Sequence, residues 1–125
     1  MSNFNEHPEA YAKKHGLVIC PPYPNELQVD IDARMLPPQF DECLQIIAQF
    51  NKVVNVSYTT SKSGNLHVYV ELEKNVSDHA RIALQACLGS DPKREALTFY
   101  NTTMAENKMP QFLFELKDAV KRNRP

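Results

Sequence analysis

Asp30 and Asp32, two aspartates set two positions apart, are the residues of this chain best suited to chemistry. The segment that holds them, Leu27-Gln28-Val29-Asp30-Ile31-Asp32, alternates apolar and polar residues as a half-buried strand does. A period of two sends both carboxylates to one face, opposite Leu27, Val29 and Ile31. Two carboxylates on an open face repel each other unless a positive charge lies between them. A hard divalent cation, Mg2+ or Mn2+, is the usual partner for such oxygen ligands.

His67 stands early in a second alternating run, residues 66–73. Antiparallel pairing would put it on the carboxylates' face and close to Asp32, where an imidazole can hold a phosphate or ligate a metal. The turn before it, Ser61-Lys62-Ser63-Gly64-Asn65, offers hydroxyls, backbone N–H groups and one ammonium, as phosphate cradles do. Lys93 and Arg94 add cations, the arginine as a planar fork that matches phosphate. Asp91 is a further carboxylate for the metal. Tyr69 and Tyr100 are expected on the same open face, as platforms on which bases stack. Each feature also has a plain structural explanation: solvated aspartates, a strand histidine paired with one of them, a hairpin turn of ordinary composition.

The elements that must position these groups read as follows. Residues 1–26 form a polar, then proline-rich arm with a short helix around residues 8–15. A strand at 27–33 leads through Pro37 and Pro38 into a helix at 39–51, whose apolar stripe is Phe40, Cys43, Leu44, Ile47 and Phe50. Strands follow at 52–60 and 66–73. A helix capped by Ser77 then runs to Gly89, and a strand is expected at about 96–102. Residues 110–124 read as an amphipathic helix through Phe112, Phe114, Leu116 and Val120. The order is α+β, the ferredoxin-like split β-α-β pattern, βαββαβ, with an N-terminal arm and a C-terminal helix. It divides into an arm at 1–26, a palm-like or RRM-like domain at 27–103 and a helix at 104–125 packed on it. This topology brings Asp32, the 61–67 turn and the 91–94 loop to one edge of the sheet.

Composition sets the outer bounds. The chain has 125 residues, one domain's worth, with 42% hydrophobic and 23% charged residues. A net charge of -1 argues against a protein that coats nucleic acid by bulk charge. The cysteines Cys20, Cys43 and Cys87 are too few and too scattered for a disulfide framework or a zinc site, and read as free thiols of a reducing compartment. No apolar run approaches the ~18 residues that span a bilayer, and the first residues show no signal-peptide core. A cytoplasmic protein without a membrane partner is expected.

Leu27-Gln28-Val29-Asp30-Ile31-Asp32 resembles the hydrophobic-x-D-x-D motif that opens the catalytic palm of the archaeo-eukaryotic primase superfamily, which includes the primase–polymerases. Ser61-Lys62-Ser63-Gly64-Asn65-Leu66-His67-Val68-Tyr69 is similar to that superfamily's second motif, a Ser/Gly turn that leads to a histidine on a strand. The stretch from Leu84 to Glu95 resembles small viral and archaeal proteins with primase-like motifs, which would place the chain in a host cytoplasm. The resemblance spans about residues 27–103. It implies Asp30 and Asp32 as catalytic metal ligands and His67 as a catalytic phosphate contact. Ser61, Lys62, Ser63, Lys93 and Arg94 would hold phosphates, and Asp91 would assist the metal. It further implies a nucleoside triphosphate or DNA as ligand, Mg2+ or Mn2+ as cofactor, a role in DNA replication by nucleotidyl or phosphoryl transfer, and as partners a replication protein or a second copy of the chain.

Other readings stay open at this point. A ferredoxin-like sheet can bind single-stranded nucleic acid without catalysis, although Asp30, Asp32, Glu71 and Glu73 would oppose a polyanion. Nicking enzymes of the same fold use a histidine pair and a helical tyrosine, which this chain lacks. A protein-binding regulator or inhibitor would offer Phe112, Phe114 and Leu116.

Overall fold

The alternation of Leu27, Val29 and Ile31 with polar residues builds a strand, and that strand is one edge of the main sheet. In this computed structural model, which describes residues 8–104 and 111–117, it is β2 (Glu26–Ile31). Chain order gives α1 (Pro8–His15), β1 (Leu17–Cys20), β2, α2 (Phe40–Ala48), β3 (Val53–Thr60) and β4 (Leu66–Leu72). After these come α3 (Asp78–Cys87), α4 (Pro92–Thr103) and β5 (Leu113–Leu116). The fold is α+β, with a three-stranded sheet in the order β2-β4-β3 and a two-stranded sheet β1-β5. Since β4 is antiparallel to both neighbours, β2 and β3 run parallel, joined through α2 with β4 between them. That is a split β-α-β unit. No described helix is long and apolar enough to cross a membrane.

The core lies on one face of this sheet. Leu27, Val29 and Ile31 of β2 and Val68, Val70 and Leu72 of β4 pack against Phe40 and Ile47 of α2 and against Leu88. Each of these large side chains, fully withdrawn from water, contributes roughly 1.5–3 kcal/mol. The expected stripe of α2 holds as far as Ile47. The chain then turns tightly after Ala48, with Gln49 donating to the Ile46 carbonyl, so Phe50 is 58% exposed rather than part of the stripe. Ser77 caps α3 as its type and position predict, accepting from the Ala80 N–H at 3.1 Å. Gly89, at φ +96°, turns the chain after α3 where a Cβ would lie 2.6 Å from Pro37 Cγ.

The strand expected at 96–102 is helical. Asp91 caps α4 by accepting from the Lys93 N–H at 3.0 Å, and Pro92 occupies its first turn. A fourth strand would have bonded the outer edge of β2. Side chains and loop backbone from the α3–α4 region take that edge instead. Arg81 Nε donates to the Glu26 carbonyl at 2.9 Å, and the Gln28 N–H donates to Gln85 Oε1 at 2.8 Å. Arg94 Nη1 donates to the Gln28 carbonyl at 2.7 Å, the Asp30 N–H to Ser90 Oγ at 2.9 Å, and the Asp91 N–H to the Asp30 carbonyl at 2.7 Å. With its buried backbone groups satisfied, β2 needs no further strand beside it.

The arm and the C-terminal segment also differ from expectation. The helix at 8–15 is present, but residues 17–20 form β1, which pairs with β5 from Leu17↔Leu116 to Cys20↔Leu113. Residues 113–116 are therefore strand and not helix; of the rest of that expected helix, residues 118–124 and Pro110 lie outside the described residues. Phe112, Phe114 and Leu116 stand at a spacing of two, which is a strand period.

Candidate functional site

The register of β2 on β4 decides which carboxylate meets the histidine. Asp30, not Asp32, is His67's cross-strand partner, and Asp30 Oδ1 lies 3.5 Å from His67 Nε2. Asp32 follows the end of β2, is exposed, and accepts from Asn65 Nδ2 of the turn at 3.0 Å. On its other side His67 Nδ1 lies 3.0 Å from Glu115 Oε1, an ion-pair contact without the alignment of a hydrogen bond. Glu115 comes from β5 and is only 1% exposed. Its second oxygen accepts from Thr59 Oγ1 at 2.6 Å and from the Tyr69 hydroxyl. The face of β4 expected to be open is thus covered, and Tyr69 is buried there as a partner of Glu115, not displayed for stacking. Tyr100 is exposed, but on α4 and not on the sheet.

Burial is the largest influence on His67 and disfavours its charge. Asp30 and Glu115, close on either side as negatively charged partners, outweigh it and raise the imidazole from 6.5 to about 9. Burial likewise pushes the Glu115 carboxyl up most strongly of any single influence. His67, Thr59 and Tyr69 together overcome it and hold the carboxyl below its ordinary 4.5. At neutral pH His67 is therefore an imidazolium beside the Glu115 carboxylate.

This centre opens into a cleft of about 710 Å³. Asp30, Asp32 and His67 line it from the sheet, and Ser61, Lys62, Ser63 and Asn65 from the hairpin turn. Asp91, Lys93 and Arg94 line it from the start of α4, followed by Leu97, Thr98 and Asn101 on the same helical face. Tyr11, Phe112 and Phe114 form an aromatic wall. Asp30, Asp32, His67, Ser61, Lys62, Ser63, Asp91, Lys93 and Arg94, distant in the chain, thus share one concavity. Comparison with protein-family models, curated proteins and solved structures finds no match for this chain.

The individual side chains have unequal freedom within that cleft. The turn is held by its own bonds: the Ser61 N–H donates to the Asn65 carbonyl at 2.7 Å and the Asn65 N–H to Ser61 Oγ at 3.0 Å. Ser61 and Ser63 hydroxyls lie 3.0 Å apart. Lys62 is exposed and its Nζ donates to the His15 carbonyl at 3.2 Å, which ties the turn to the end of α1. Lys93 is exposed at the start of α4. Arg94 lines the wall, yet its guanidinium is occupied by Glu95 Oε2 at 2.6 Å and by the carbonyls of Gln28 at 2.7 Å and Phe112 at 3.3 Å. Asp91's carboxylate is engaged in capping α4.

Among the described residues no group of three or more His, Cys, Asp or Glu side chains is arranged to hold a metal ion. Asp30 already faces an imidazolium, and Asp32 is the more exposed of the two acids. Two carboxylates at a cleft mouth do suit one hydrated Mg2+ or Mn2+ that arrives with phosphate oxygens, since Mg2+ keeps several waters and needs only one or two carboxylates. They do not make a closed protein cage. Residue types alone do not reveal Glu115 or the aromatic wall, since Glu115 and Phe114 lie on β5, Phe112 just before it, and Tyr11 joins them from α1. The strand spacing of Phe112, Phe114 and Leu116 was the available signal.

Proposed function

We propose that the cleft binds a nucleoside triphosphate together with Mg2+ or Mn2+, and that the domain is a minimal primase–polymerase-like palm acting in nucleotidyl or phosphoryl transfer during DNA replication. One observation carries this: an acidic pair, a Ser/Lys turn and a lysine at the start of a helix line a single cleft of about 710 Å³, a size typical of small-molecule sites. Asp32 and Asp30 would hold the ion, whose chemistry is to neutralise phosphate charge. Lys62 on the turn and Lys93 at the start of α4, both exposed, supply positive charge for phosphate oxygens, and the Ser61 and Ser63 hydroxyls supply donors. The His67 imidazolium, fixed between two carboxylates, adds a positive charge at the floor. In this reading the split β-α-β unit is the working part of a ferredoxin-like palm, with the α3–α4 side chains standing where its fourth strand would run.

The test is binding of a nucleoside triphosphate with and without Mn2+. Mn2+-dependent binding that is lost in Asp32→Ala supports the reading; Asp32 is exposed, so the fold is not at stake. Binding of single-stranded DNA that ignores both Mn2+ and Asp32→Ala, with no nucleotide bound, overturns it in favour of a non-catalytic nucleic-acid module.

A further inference from the structure

The geometry points to a seat for the nucleobase on the aromatic wall, so that the cleft takes a whole nucleotide rather than a phosphate chain alone; this rests on the function just proposed and deepens it. Phe112 and Phe114 meet edge to face with centroids 5.0 Å apart, and Tyr11 lies 4.9 Å from Phe114. All three rings are half-buried, line the cleft, and stand apart from the main apolar core. Only the Phe112–Phe114 contact is edge-on, Tyr11 is tilted against Phe114, and all three rings present surface to the cleft they line, where a base can pack.

The wall is also fixed in place. Arg94, anchored on Gln28 and Glu95, donates to the Phe112 carbonyl at 3.3 Å. Tyr11 stacks near His15 at 4.3 Å, and the carbonyl of that same His15 accepts from Lys62 of the phosphate turn at 3.2 Å. The last turn of α1 therefore joins the aromatic wall to the turn at 61–65, so rings and cationic side chains line the same cleft. A ligand that carries both a flat ring and phosphates suits such a lining. Stacking reads the π-face that every base has, so the seat accepts purines and pyrimidines alike.

The experiment compares ATP, CTP and inorganic tripolyphosphate on the full chain in Mn2+. Both nucleotides should bind roughly 10-fold or more tightly than tripolyphosphate, within the range that stacking one base contributes. Phe112→Leu should bring both down to the tripolyphosphate level while leaving tripolyphosphate binding unchanged. The chain has no tryptophan, so Phe112→Trp supplies a single reporter, which ATP should quench and tripolyphosphate should not. That readout decides the matter even if Phe112→Leu folds poorly. Equal binding of tripolyphosphate and ATP, or bound ATP without quenching, overturns the base seat and leaves the phosphate cleft standing. Failure of all three ligands to bind overturns the cleft's proposed function and the seat with it.

Discussion

Glu115 of β5 lies 3.0 Å from His67 of β4, although the two residues belong to different sheets. The contact joins the small β1-β5 sheet to the main one through a buried charge pair. Removing a partner from such a pair leaves a buried charge with less compensation than it had.

Stability should therefore fall as the medium becomes alkaline. His67's pKa is raised on folding, so its contribution is fully present below 6.5 and is lost as pH rises through about 9. The full span corresponds to about 3 kcal/mol. Glu115's pKa is lowered, so its share is present above 4.5 and is lost as pH falls through its folded value. These are two views of one interaction and do not add. Urea unfolding at pH 6, 7.5 and 9.5 should show the alkaline decline, and His67→Gln should flatten it. An equally steep decline in that variant would assign the effect to other groups.

The side-chain ladder on β2 should matter as much as a strand would. Gln85→Leu strips the partner from the buried Gln28 N–H and from Glu95, which Gln85 Nε2 reaches at 2.9 Å. A loss of about 2–3 kcal/mol is expected. Cys87→Ala, an exposed site on the same helix, should stay within about 0.5 kcal/mol. Chemical denaturation of the two variants side by side checks both figures.

Arg94 and Lys62 should part company. Arg94→Ala leaves the Glu95 carboxylate buried without its cation and should cost about 3 kcal/mol of stability. Lys62→Ala should leave the melting temperature unchanged and weaken triphosphate binding by roughly 10-fold, the worth of one charge-assisted contact. Thermal melts paired with binding titrations separate the two roles. A stable Arg94→Ala variant that has lost only ligand affinity would reverse the assignment of Arg94.

Gly89 should not tolerate a side chain. At φ +96°, with Pro37 Cγ 2.6 Å from where a Cβ would stand, Gly89→Ala carries both backbone strain and a clash. A loss of at least about 1–2 kcal/mol is expected. Denaturant midpoints for Gly89→Ala and wild type provide the check.

What the sequence determined by itself is local. Alternation at 27–32 and 66–72, the Ser/Gly turn between β3 and β4, the stripe of α2 and the Ser77 cap are patterns of period two, of helical period, or of single residue types. Each is enforced by neighbours a few positions away. Hence the split β-α-β unit was legible in the sequence, and Asp32, the 61–67 turn and the 91–94 segment do share a cleft, although the last arrives at the start of a helix and not of the strand expected there. Tertiary structure decided the rest. Residues 96–102 carry strand-forming residue types, yet they continue the helix that Asp91 caps and Pro92 opens, and Arg81, Gln85, Ser90 and Arg94 bond the edge of β2 that a strand would have taken. Asp30 rather than Asp32 meets His67 because the long-range pairing of β2 on β4 sets Asp30 opposite His67; the two carboxylates share one face, so the alternation of the strand alone does not choose between them. Glu115 lies against His67 because β5 pairs with β1, nearly a hundred residues upstream, a contact that no local pattern encodes.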